Sequence, residues 1–336
     1  MNNKFFPSNF LFILIMILGT LFSISSSHWM TMWMGLEMNL MGFLPLMNIK
    51  GKSLEAEASM KYFIIQSMSS SMLIFSSIMM YIYNMSWYSM FSNMMNILIL
   101  LSLILKLGGA PMHFWLPNIS KQMPWTILFL LLTWQKLAPL FMLSLMNSNL
   151  MLIMMISMLS TLVGSLMALN QTNLQLIITY SSISHLGWMM TMILLNNSLT
   201  LFYFINYIII SIPLMHLFSS NLGNHLFMLT QKNNMNNMII ISLILSLAGL
   251  PPLLGFMSKL IILISLINMK LFILSTFMLL GTLISLYFYL NMSLMLMIKS
   301  YSMFKMNNNI KNYKLLISLN LLSSLIIYPI IMLLIN

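Results

Sequence analysis

Runs of mostly apolar residues long enough to cross a bilayer follow one another along this chain, parted only by short polar connections. A helix rising 1.5 Å per residue needs about 20 such residues to traverse the hydrocarbon. No water is available there to satisfy backbone groups, so a series of such runs can fold only as helices that close their own hydrogen bonds. The pattern predicts about eleven spans, near 8–27, 29–48, 57–83, 93–118, 124–146, 150–169, 173–195, 199–221, 238–267, 271–296 and 314–335. The expected fold is therefore all-α, a polytopic transmembrane bundle with no soluble domain. A chain that is 60% hydrophobic and only 5% charged has too little polar surface for a water-facing globule. The first span lacks a small-residue cleavage site and runs straight into the second, so it reads as a retained helix.

The formal charge of +11 would suggest nucleic acid in a soluble protein. Here its distribution gives orientation instead, and membrane lipids rather than nucleic acid are the expected surroundings. With an odd number of spans, Lys4, Lys50, Lys52, Lys121, Lys232, Lys299, Lys305, Lys311 and Lys314 fall on the N-terminal side and only Lys270 opposite. That bias puts the N-terminus inside, which is the matrix in a mitochondrion, and the C-terminus outside. All fourteen basic residues are lysine, aspartate is absent and methionine reaches 42, a skew that fits an AT-rich organellar genome. The chain has no cysteine, which excludes disulfides and thiolate or iron–sulfur ligation. Phosphate-binding glycine loops, zinc-protease histidine pairs and nucleophile elbows are also missing, so no cofactor or metal site is expected.

Two spans carry glycine and proline where a continuous helix would not tolerate them: Gly108-Gly109-Ala110-Pro111 in the fourth and Gly249-Leu250-Pro251-Pro252 in the ninth. Proline removes a backbone donor and glycine weakens the helix, so both spans are expected to be broken. The freed backbone groups then need a protein partner or a wet cavity. The breaks lie five spans apart, and an odd offset reverses membrane direction. This predicts inverted-topology repeats of transporter type, one near 8–146 and one near 150–296, with an extra C-terminal helix near 314–335.

Charges inside the spans point to proton work. Lys106, Lys136 and Lys259 lie in long apolar stretches, where an ammonium near the bilayer centre costs at least about 2.5–3.5 kcal/mol on the lenient scale. Glu37 lies about 12 Å along its helix. A buried carboxylate alone would protonate, whereas a neighbouring ammonium keeps it charged, and Lys106 and Lys136 are the expected partners. Taking an ammonium out of water favours its neutral form, and a nearby carboxylate favours the charged one. A lysine with a movable partner can therefore load and release a proton. The bland alternatives are a static buried pair or a lysine snorkelling to the interface, with Lys61 and then Lys259, towards the outer end of its span, as the snorkelling candidates. Histidine titrates nearest neutrality, so His185, near mid-span on a serine-rich face, joins the relay candidates, with His113 and His216 as secondary ones. Glu57 and Lys61, spaced i, i+4, read first as a helix-stabilising pair.

These phrases in this order closely resemble the antiporter-like membrane-arm subunits of respiratory complex I, in the subunit-2 branch of animal mitochondria. The matching stretches are Trp33 to Asn39, Glu57 to Phe63, Lys106 to Pro117, Leu132 to Pro139, Leu169 to Thr172, Tyr180 to Trp188 and Leu247 to Lys259. The last forty residues match by hydropathy alone. The resemblance implies that Glu37 is the essential glutamate, Lys106 the broken-helix lysine, Lys136 the central lysine and Lys259 the exit-side lysine. It also implies that His185 is the histidine of the Tyr-Ser-Ser motif. It implies partners among the other complex I membrane-arm subunits, including neighbouring antiporter-like ones, with NADH, FMN, iron–sulfur clusters and ubiquinone handled by those other subunits. One departure stands out: where many relatives carry a basic pair, this chain has Gln175 and Leu176.

The expected function is proton translocation in the inner mitochondrial membrane, driven by NADH to ubiquinone electron transfer in partner subunits. A free-standing cation/proton antiporter is the rival from another class. A purely structural spacer is disfavoured by the four intramembrane charges.

Overall fold

The computed structural model describes residues 7–49, 51–84, 89–146, 150–219, 234–251 and 253–303. Outside them lie the eleventh expected span, Pro252, and Lys4, Lys50, Lys232, Lys305, Lys311 and Lys314. The chain divides into two compact units, Met1–Ile153 and Met154–Asn336. The described residues form α-helices joined by short turns, and seven stretches of them, counting Trp125–Leu145 as one, are long and apolar enough to cross a membrane.

In the first unit α1 (Pro7–Ser25) and α2 (Trp29–Met47) form a close hairpin. A Cβ on Gly19 would come within 2.5 Å of the Asn39 backbone nitrogen, and one on Gly35 within 2.6 Å of that of Ser23. The two backbones therefore touch, as small residues permit in membrane helices, and this seats the helix that carries Glu37. α3 (Ser53–Asn84) packs on α2 and on α4 (Ser89–Leu107). After α4 the chain breaks before the short α5 (Trp115–Ser120).

The expected span near 124–146 is also interrupted, between α6 (Trp125–Leu132) and α7 (Trp134–Leu145). Thr133 sits at φ −113°, ψ −72°, and the Lys136 N–H reaches its carbonyl only three residues back, at 3.1 Å. Within α7, Pro139 offers no N–H to the Gln135 carbonyl and its ring crowds that carbonyl.

In the second unit α8 (Leu150–Ala168), α9 (Leu174–Leu195) and α10 (Asn197–Ser219) precede the broken pair α11 (Asn234–Ala248) and α12 (Leu254–Asn268), and α13 (Phe272–Met303) follows. α9 is the buried centre: Leu174–Met192 is inside except Tyr180, despite its serines and threonines. Their hydroxyls bond to carbonyls three residues back, Ser181 to Ile178 and Ser182 to Thr179 at 2.7 Å each. That local satisfaction lets a polar helix lie in an apolar interior.

Candidate functional site

Both expected breaks occur, and both close in the same way. At the first, Gly108 takes φ +72°, its N–H bonds to Leu105 O at 3.3 Å, and Gly109 N–H bonds to Ile104 O at 3.1 Å. At the second, Gly249 takes φ +83°, its N–H bonds to Ser246 O at 3.2 Å, and Leu250 N–H bonds to Leu245 O at 3.3 Å. Each is a Schellman ending, which needs a residue tolerant of positive φ at that one position. Pro111 and Pro251 follow two or three residues later, where the helix can no longer continue.

A Schellman ending leaves the last carbonyls of the helix without backbone partners, and side chains supply them here. In the first unit Gln66 Nε2 donates to Lys106 O at 3.4 Å, and Trp115 Nε1 adds a bond at 3.1 Å to Leu105 O, which already accepts from Gly108. In the second, the Lys259 ammonium donates to Leu247 O at 3.3 Å and Ala248 O at 2.8 Å. Lys259 is thus buried against the negative end of the α11 dipole rather than snorkelling.

Lys106 and Lys136 line one cavity of about 20 Å³, together with Asn39, Tyr62, Gln66 and Gln135. One water needs about 10–15 Å³ by this measure, so the space accommodates a water among polar groups. Both lysines are almost fully buried, at 7% and 2% exposure. Glu37 is half-buried on the flank of α2, within Coulombic range of Lys106 and Tyr62, yet among the described residues it makes no ion pair with Lys106 inside 4.0 Å. The pair expected from the sequence is therefore near but not closed.

Three further groups, absent from the sequence-based site, complete the polar floor. Asn39 Nδ2 donates to Gln135 Oε1 and Gln135 Nε2 donates to Asn39 Oδ1, each at 3.0 Å. The Tyr62 hydroxyl donates to the same Gln135 Oε1 at 3.3 Å, its ring edge-on to Phe43. The signal was available: a buried side-chain amide in a span is costly unless paired, and Asn39 and Gln135 stand beside Glu37 and Lys136 in sequence.

In the second unit, His185 is buried with Nδ1 2.7 Å from the Tyr203 hydroxyl and its ring 5.3 Å from that of Tyr207. The other candidates lie apart from these clusters. His113 is buried in the turn after the first break, stacked on Phe114 at 4.4 Å. His216 is exposed in the last turn of α10. Glu57 accepts a hydrogen bond from Lys61 on the exposed first turns of α3, as the i, i+4 spacing predicts. Gln175 and Leu176, at the position of the missing basic pair, are both buried in α9. Among the described residues there is no group of three or more histidine, aspartate or glutamate side chains able to hold a metal ion.

Residues 26–285 match the family described as NADH:quinone oxidoreductase/Mrp antiporter, TM. NADH-ubiquinone oxidoreductase chain 2 of Anopheles gambiae is 40% identical over 319 residues, covering 93% of each chain. The Bos taurus protein of that name is 38% identical over 313 residues, covering 91% of this chain and 89% of its own. A chain in the solved structure of respiratory complex I from Thermus thermophilus has the same fold, with TM-score 0.81 at 22% identity, covering 95% of this chain and 79% of that one. A chain of the Mrp complex from Dietzia matches with TM-score 0.76 at 16% identity, over 84% and 59%. Matched along nearly its whole length by these relatives, this chain belongs to the NADH-ubiquinone oxidoreductase chain 2 family, within the NADH:quinone oxidoreductase/Mrp antiporter group.

Proposed function

We propose that Glu37, Lys106, Lys136 and Lys259 carry protons through this chain, with His185 as a further relay group. The chain is a proton-translocating, antiporter-like membrane subunit of respiratory complex I, a multi-pass protein of the mitochondrial inner membrane. The observation that carries the site reading is the cavity shared by Lys106 and Lys136. Two buried ammonium groups facing one water-sized space have a transfer route without a rearranged backbone. A carboxylate approaching Lys106 holds its proton there, and one moving away releases it to the cavity. The open arrangement of Glu37 and Lys106 suits a pair that closes in one state and parts in another.

Lys259, at the second break, exchanges protons with the outer side or with a neighbouring antiporter-like subunit. Redox chemistry belongs to partner subunits, which handle NADH, FMN, iron–sulfur clusters and ubiquinone. The two compact units correspond to inverted repeats, a reading supported by the identical hydrogen-bond closure of their breaks. The N-terminus faces the matrix, as the lysine distribution indicates. A tag inserted in residues 300–312 should then resist protease in mitochondria stripped of their outer membrane, and cleavage there would reverse the orientation.

Gentle isolation followed by peptide identification tests the assembly. Co-isolation with the other complex I subunits is expected. A chain that purified alone and exchanged sodium for protons would favour a free-standing antiporter.

A further inference from the structure

The Asn39–Gln135 pair ties the helix of Glu37 to the helix of Lys136 at the floor of the lysine cavity. Asn39 is 3% exposed and lies two residues after Glu37, and Gln135 immediately precedes Lys136. The pair is reciprocal, each amide donating to and accepting from the other at 3.0 Å, a geometry that tolerates little sliding or rotation of either helix. A third donor, the Tyr62 hydroxyl from α3, reaches the same Gln135 oxygen. Three helices thus converge on one amide.

The position of that amide matters more than its energy. Gln135 sits at the start of α7, close after the irregular Thr133, where the Lys136 N–H bonds three residues back in place of the usual four. Pro139 withholds the donor its carbonyl would have received. The side chain of Gln135 therefore supplies orientation that the backbone there does not. We propose that Gln135, through its reciprocal bond with Asn39, is a positioning residue that holds Lys136 and the cavity in register with the Glu37 helix for proton transfer. This rests on the relay reading above.

The test uses the assembled complex with four variants: Gln135→Leu, the double Asn39→Leu with Gln135→Leu, the exchange Asn39→Gln with Gln135→Asn, and Lys136→Met. Three quantities are read: the amount of assembled complex, NADH oxidation by a water-soluble artificial acceptor, and protons moved per NADH with ubiquinone as acceptor. Gln135→Leu should lower coupled turnover about tenfold, because sub-ångström placement governs proton transfer. The double leucine variant removes both amides together and leaves only the Tyr62 hydroxyl without its long 3.3 Å acceptor, so it should still assemble. It should nevertheless stay as poorly coupled as the single variant. The exchange keeps one amide of each length across the contact and should restore at least half of the coupled turnover.

Should Gln135→Leu fail to assemble, the double variant and the exchange decide the matter. Normal proton movement in the double leucine variant would overturn the proposal, because a contact that only packs two helices is replaceable by leucines. Failure of the exchange to restore turnover would overturn it too. Normal pumping by Lys136→Met would instead overturn the relay reading on which it rests, so the two failures are separable.

Discussion

The ammonium of Lys259 donates to the carbonyl of Ala248 at 2.8 Å, closing from the following half-helix the end of the helix that Gly249 breaks. One side chain thereby does two jobs, capping and carrying a charge. Lys259→Arg separates them. Arginine retains donors for Leu247 O and Ala248 O, so assembly should survive, but it does not give up its proton. Coupled proton movement should fall at least about tenfold, the scale of a lost acid–base group. Lys259→Met should in addition destabilise the assembled complex, leaving those carbonyls unpaired at about 1–3 kcal/mol. Normal pumping by the arginine variant, measured as protons per NADH, would remove Lys259 from the path.

Glu37 and Lys106 should act as a pair. Glu37→Gln lowers proton movement, and adding Lys106→Met should cost less than Lys106→Met does alone, because coupled groups are not additive. The measurement is a double-mutant comparison of pumping rates in complexes assembled to equal amounts. Strictly multiplicative losses would show that the carboxylate and ammonium act independently, even with both required.

Tyr203→Phe removes the hydroxyl that lies 2.7 Å from His185 Nδ1 while keeping the ring. The loss of a buried hydrogen bond costs about 1 kcal/mol, so assembly should hold. Coupled turnover should drop several-fold as the imidazole loses the partner that sets which nitrogen carries its proton. Unchanged turnover in Tyr203→Phe would confine that contact to packing.

The breaks at Gly108 and Gly249 were legible because proline and positive-φ glycine are local chemistry, and the Glu57–Lys61 bond because its partners lie one helical turn apart. The caps were not. Gln66 and Lys106 are 40 residues apart and Asn39 and Gln135 are 96 apart, and which polar side chains meet across a bundle depends on helix rotation that hydropathy does not encode. The same blindness explains His216, which sits in an apolar span yet faces outward, and Lys259, whose side chain turns inward to carbonyls freed by the break. The interruption at Thr133 escaped notice because threonine is no breaker by itself.

The central claim is that Lys136 passes protons through the cavity it shares with Lys106. Lys136→Met nearly preserves the volume of the side chain and deletes its titratable group, so the complex should assemble and still oxidise NADH with an artificial acceptor. Protons moved per NADH during turnover with ubiquinone should fall, and coupled turnover should drop at least about tenfold. A fully assembled Lys136→Met complex with the unmodified protein's proton yield and turnover would contradict the account.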